Sequence, residues 1–283
     1  MIKQLLISLV LILCSLGQIA YAISNDRLQI AVSIQPQKYF VEQIVKDTAD
    51  VLVMVGASDN PATFEPRPSQ MAQIAKTDIY FTIGVPFEQA WIKRLSLINP
   101  QMRIVHLGEQ VGDDGHAHAH ASDPHIWTNP EQVKNIASKI AESLSELLSE
   151  YQVIFQSNLQ SFIKELSDID LYIKQKTDSL RKRTLIVTHP SWGDFAKQYN
   201  FTQVSIEHNG KTIKAASLSW LIKLAHKEQI RAVFAQPQFN HKSATVLAKE
   251  INGQVYMLNP LAYDYIDNMK KSADIISEAL TNE

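Results

Sequence analysis

The chain has 283 residues, a formal charge of −2, 45% hydrophobic residues and a single cysteine, Cys14. That near-neutral balance is unlike the basic footprint of a nucleic-acid-binding domain, and one cysteine excludes a disulfide framework within the chain. The length and apolar content supply material for one large domain or two lobes of ordinary size.

Residues 1–22 read as a cleavable secretory signal. Lys3 gives a basic start, residues 5–16 are apolar, and Ala20-Tyr21-Ala22 is a small-x-small cleavage pattern. The apolar run is shorter than the roughly 20 residues that span a bilayer, and no later stretch is apolar enough to do so. Leu13 is a poor residue to precede a lipid-modified Cys14. The mature chain is therefore expected in the periplasm or another extracytoplasmic space, not spanning a membrane. It would carry a charge of −3 after loss of Lys3, and no cysteine. Thiolate zinc sites and cysteine nucleophiles then drop out, and any metal must be held by nitrogen and oxygen.

Short β-rich runs alternate with amphipathic segments. Strands are predicted at 28–32, 51–55, 79–83 and 103–106, then at 184–188, 203–206, 231–235 and 254–258. Helices are predicted at 37–46, 69–76, 217–227 and 242–250. Strands separated by helices imply parallel sheets with right-handed crossovers, so the fold class is α/β, with two lobes of four strands each. From Pro130 to Lys182 there is no glycine and no internal proline, and Asn129 and Pro130 suit the N-cap and first helical positions. Tyr151, Ile154, Phe155, Leu159, Phe162, Ile163, Leu166, Ile169 and Ile173 share one helical face. The boundaries drawn are 23–150 for the first lobe, with a His-rich loop at 112–123, 151–182 for a stiff connecting helix, and 183–283 for the second lobe. Such a connector predicts small lobe closure.

Nine histidines are present, five of them from His106 to His125. In 112–123, His116, His118 and His120 alternate with alanine beside Asp113, Asp114 and Asp123. Imidazole suits zinc, copper and nickel, and flexible ligands must be ordered on binding, so this loop predicts weak, exchangeable metal collection. His125, in Asp123-Pro124-His125-Ile126-Trp127, and His189, in Thr188-His189-Pro190-Ser191-Trp192, lie at element boundaries and look like fixed ligands. In open α/β sheets ligands bind beyond the carboxyl ends of strands. The other strand ends offer Asp59, Glu207, Gln236 and Asn259, while His208, His226 and His241 read as surface residues. No nucleophile elbow, Walker loop, dinucleotide glycine pattern or His-Glu-x-x-His occurs, so no enzyme is expected.

Across the whole mature chain these residues resemble the metal-binding proteins of ABC importers for zinc and manganese, the ZnuA/TroA-like family of solute-binding proteins. The likeness runs through 32–40, Phe64-Glu65-Pro66-Arg67-Pro68, Ile83-Gly84-Val85-Pro86-Phe87-Glu88, Asp123-Pro124-His125-Ile126-Trp127, Thr188-His189-Pro190, Gln236-Pro237-Gln238-Phe239 and Asn259-Pro260-Leu261. It implies two α/β lobes, a rigid connecting helix, and metal in the cleft with His125 and His189 as ligands. Two positions depart. Ala62 stands where the family has a first histidine, with Asp59 the nearest substitute, and Asn259 stands where it has an aspartate, its amide oxygen a weaker, uncharged metal ligand. Zinc with two imidazoles has two of four positions left; Asp59, a loop histidine, Glu207 or water could supply the third. The expected ligand is Zn²⁺ ahead of Mn²⁺ or Fe²⁺, and the expected partner an ABC permease, with the chain a monomer. A metal buffer or chaperone without an importer is the alternative.

Overall fold

The computed structural model describes residues 27–108, 123–207 and 215–281. The expected signal at 1–22, His116, His118, His120 and His208 lie outside the described residues. In the first half, strands β1 (Leu28–Val32), β2 (Ala49–Val53), β3 (Ile79–Thr82) and β4 (Arg103–His106) alternate with helices α1 (Gln35–Val45), α2 (Pro68–Ile74) and α3 (Pro86–Ile98). Helices α4 (Pro130–Leu147) and α5 (Gln152–Thr177) follow. The second half contains β5 (Thr184–Val187), α6 (Gly193–Gln198), β6 (Thr202–Ser205), α7 (Ala215–Lys227), β7 (Ala232–Ala235), α8 (Lys242–Glu250), β8 (Gln254–Met257) and α9 (Tyr265–Thr281).

The strands form two wholly parallel sheets with equivalent orders, β2-β1-β3-β4 and β6-β5-β7-β8. In each, the chain reverses its direction of travel across the sheet beside the first strand, which opens a crevice beyond the carboxyl ends of β1 and β3, and of β5 and β7. Strands β3, β5 and β7 are buried along their whole length, which is why they read as unbroken apolar runs rather than as alternating ones.

Proline sets several starts in the first half: α1, α2, α3 and α4 each carry one at the first or second helical position, where its missing N–H costs nothing. The Asn129 side chain caps α4 by accepting from Glu131 N at 3.0 Å. The stretch without glycine or proline is not one helix. It breaks at Leu148 (φ −129°, ψ 71°), and a single 3₁₀ turn, Ser149–Tyr151, re-aims the chain into α5. Leu148 packs against the core at the break, and Tyr151 stacks on Phe155 at 5.8 Å.

Helix α5 buries Phe155, Leu159, Phe162, Leu166, Ile169 and Ile173, and packs on α1, α4 and α9. One continuous apolar cluster therefore runs from the first sheet through α4 and α5 to Leu185, Val187, Phe234 and the inner face of α9. A second, smaller cluster fills the other face of the second sheet under α7 and α8. Aromatic rings close the seam between the halves: Phe40 of α1 meets Tyr265 edge-on at 4.9 Å, and Tyr39 meets Tyr263 at 5.8 Å. The Tyr263 hydroxyl donates to Glu42 at 2.6 Å.

Candidate metal site

The segments that meet at the two crevices are held by buried polar side chains. Gln37 accepts from Ser33 N (3.0 Å) and Ile34 N (3.1 Å) and donates to Phe81 O. Glu88 accepts from Ile83 N (2.9 Å), Gly84 N (2.8 Å) and the Ser33 hydroxyl. Burial raises the Glu88 carboxyl above its ordinary value, although those three donors pull the other way. Gly84, at φ +95°, turns the chain toward Pro86 and lies against Pro124, a backbone conformation that favours glycine.

His125 sits at the start of a 3₁₀ turn, Ile126–Thr128. Asp123 folds it into place, accepting from His125 N at 3.0 Å and meeting its Nδ1 at 2.6 Å. Burial raises the Asp123 carboxyl, but the hydrogen bonds and charge of His125 outweigh burial and hold it below its ordinary value. An ionised carboxylate only accepts, so the His125 Nδ1 that faces it carries a proton. Asp123 in turn lies against the second half: a Cβ on Gly193 would stand 2.2 Å from its Oδ2, so only glycine permits this approach.

His189 follows β5 at the crevice of the second sheet. Its carbonyl accepts from the Gln236 amide at 3.1 Å, its ring stacks on Phe239 with centroids 4.4 Å apart, and its Nδ1 lies 3.4 Å from Glu207 Oε2. Burial, with a second contribution from His125, brings the His189 pKa down to about 4. Burial raises Glu207. His189 is thus a neutral imidazole at neutral pH, the form that binds metal.

The two rings face each other edge to face, with centroids 5.4 Å apart. They share a cavity of about 400 Å³ lined from both halves, by Pro61, Ala62, Val85, Pro86 and Pro124 on one side and Pro190, Phe239, Pro260 and Leu261 on the other. Trp127, fully buried beneath His125, donates from Nε1 to Pro260 O at 2.8 Å and ties the halves together at the cavity floor.

The remaining sequence candidates lie differently. Asp59 turns back on its own loop and accepts from Gly56 N at 3.2 Å. The Asn259 amide oxygen accepts from Gln238 Nε2 at 2.9 Å and Leu261 N at 3.1 Å. Neither lines the cavity. Gln236 points its amide at backbone and at Ser191 rather than at the ring pair. Among the described residues, no group of three or more His, Cys, Asp or Glu is arranged to hold a metal. Three participants were not singled out as site residues from the sequence. Asp123 had a signal in its two-residue spacing before His125, which suits a side chain that bonds back to the following backbone. Phe239 and Gln238 had one only in the family likeness of Gln236-Pro237-Gln238-Phe239, which does not say where their side chains go.

The chain is 27% identical to the high-affinity zinc uptake system protein ZnuA of Bacillus subtilis (strain 168), over 90% of this chain and 88% of the relative. A crystal structure of ZnuA superposes with a TM-score of 0.85 at 36% identity, covering 90% of this chain and all of that one. A zinc-bound deletion mutant of ZnuA superposes equally well, at the same identity. The family described as zinc-uptake complex component A, periplasmic, matches residues 30–279. A match over nearly the whole described chain, on a fold that superposes this well, amounts to membership: the chain belongs to the ZnuA family of zinc-uptake components.

Proposed function

We propose that this chain captures Zn²⁺ outside the cytoplasm, in the cavity between its lobes, and delivers it to an ABC importer. The observation that carries the reading is the pair of imidazoles 5.4 Å apart, each with its Nδ1 turned to a carboxylate. A carboxylate at Nδ1 fixes the tautomer and leaves Nε2 for the cavity. Nitrogen donors favour Zn²⁺ over Mn²⁺ or Fe²⁺, and a zinc-bound ZnuA of the same fold supports the same cargo. The family is one of metal-binding transport components, not of enzymes.

In this reading His125 and His189 are the chain's fixed ligands. Asp123 orients the first and Glu207 the second. Asp59 and Asn259 shape the rim through the bonds they already make. The lobes comprise 23–150 and 183–283, joined through 151–182, and His116, His118 and His120 collect metal weakly on the segment that leads into Asp123. Residues 1–22 direct export, and the mature chain acts as a monomer. No helix among the described residues is long and apolar enough to cross a membrane, which fits a receptor that meets its permease from outside.

Equilibrium dialysis of the purified mature chain against zinc, read by elemental analysis, tests the assignment. One zinc per chain is expected, lost in His125→Ala/His189→Ala. Full zinc retention by the double variant, or none by the parent, overturns it.

A further inference from the structure

Resting on that reading, we infer that the cargo enters the cavity as zinc already chelated by a small amino-carboxylate, with the organic ligand filling the coordination positions that the two histidines leave open.

The cavity is the first observation. Zinc completed by two waters of ~30 Å³ each would occupy a small part of the available space, which is about 400 Å³. Sites that hold a bare structural or catalytic metal close protein donors around it. This cavity has the character of an organic-ligand pocket instead: apolar walls with a few convergent polar groups. Pro61, Val85, Pro86 and Leu261 give the space its apolar walls, and the polar side chains that line it are already engaged: Asn60 accepts from Ala62 N at 2.8 Å, Asp123 holds His125 N and Nδ1, and the Gln236 amide donates to His189 O and Ser191.

The second observation is where the nearby oxygens go. Asp59 is bonded to Gly56 N, and the Asn259 oxygen holds two donors of its own. Recruiting either to zinc would break the bonds that hold these part-buried segments. Ala62, at the cavity wall, carries no donor at all.

The third is that the space does not collapse readily. Trp127 Nε1 bonded to Pro260 O and Gln238 Nε2 bonded to Ala57 O (2.9 Å) already link the halves beside the cavity, and the apolar core is continuous through α5. A bidentate ligand meets these conditions. Its amine and carboxylate supply a nitrogen and an oxygen in a five-membered chelate ring. Its single negative charge offsets part of the zinc charge in an apolar chamber, and its side chain packs on the prolines and Leu261.

The test uses the mature full chain, zinc, and L-histidine and glycine as probes. Native mass spectrometry is expected to show a one-to-one-to-one complex of chain, zinc and amino acid. Zinc retention in competition with a chromophoric chelator should rise about tenfold or more when either amino acid is present. Ala62→His, which adds a donor at the cavity wall, should bind zinc without amino acid and lose most of that enhancement. Deletion of 113–121 should leave the ternary complex intact. Equal zinc affinity with and without amino acid, and no ternary mass, overturns this inference while leaving the capture function standing. So does loss of zinc binding on deleting 113–121, because the open positions would then be filled by the chain itself. Absence of zinc by either route, with no change in His125→Ala/His189→Ala, would overturn both readings.

Discussion

Replacing Asp123 with asparagine probes the site without touching a proposed ligand. Asparagine keeps the size of the side chain and an oxygen that can accept from His125 N. The bond to His125 Nδ1, 2.6 Å long in the parent, loses its charge. Charge-assisted bonds are about twice as strong as neutral ones and contribute roughly 1.5–3 kcal/mol net, so the exchange removes about 1–1.5 kcal/mol. That loss falls on the metal-bound state, where His125 has given electron density to zinc and its Nδ1–H is most acidic. Zinc affinity should therefore drop about tenfold, at the lower end of the 10–100-fold range seen for outer-shell partners. Asp123→Ala, which also frees the ring to rotate, should approach the upper end. A competition titration against a fluorescent zinc chelator near neutral pH reads the change, with thermal unfolding as the control for folding. An Asp123→Asn affinity within about twofold of the parent would refute the idea that this carboxylate tunes His125.

Three further outcomes follow from the geometry. Gly193→Ala would put a Cβ 2.2 Å from Asp123 Oδ2; zinc affinity should fall at least as far as in Asp123→Asn, with about 1–3 kcal/mol lost from stability by overpacking, and an unchanged titration would mean that Asp123 can move away freely. The His189 pKa of about 4 lies below its ordinary 6.5, so as pH falls through that window the unfolded chain takes up a proton that the folded chain refuses; metal-free stability should decline by up to about 3 kcal/mol between those values, and denaturant melts of His189→Gln should show a flatter pH dependence. Asn259→Ala removes the acceptor for Gln238 and Leu261 and should cost about 1–2 kcal/mol in stability, while zinc affinity by the same competition assay stays close to the parent's; a tenfold loss would make Asn259 a ligand.

The interior strands were legible because burial on both faces leaves a plain apolar run, as at Ile79–Thr82 and Thr184–Val187. The edge strand β2 begins two residues before the predicted 51–55, at Ala49, since a half-exposed strand carries a weaker pattern. Helices α3 and α9 were not predicted, although Pro86 and the spacing of Met269, Ala273, Ile276 and Leu280 carry ordinary signals. The break at Leu148 had no glycine or proline to announce it; tertiary packing of α4 beside α5 decides it. At the site, His125 and His189 stood out because they sit where elements end. Strand-end reasoning also brought the segments of Asp59 and Asn259 to the right neighbourhood, but it has no access to side-chain direction. Asn259 turns to Gln238, a partner 21 residues away, and no local pattern encodes that choice.

The continuous core through α5 also bears on how the cargo leaves. Two lobes joined by a loop can gape and spill what they hold; here Phe155, Phe162 and Ile169 belong to the same packed interior as both sheets. Wide opening would expose apolar surface now packed away from water, at about 25 cal/mol per Å². On the proposed function, unloading is then expected as a ligand exchange at the mouth of the cavity rather than by wide opening of the two halves. Heat or denaturant, by the same logic, should undo both sheets in one cooperative step.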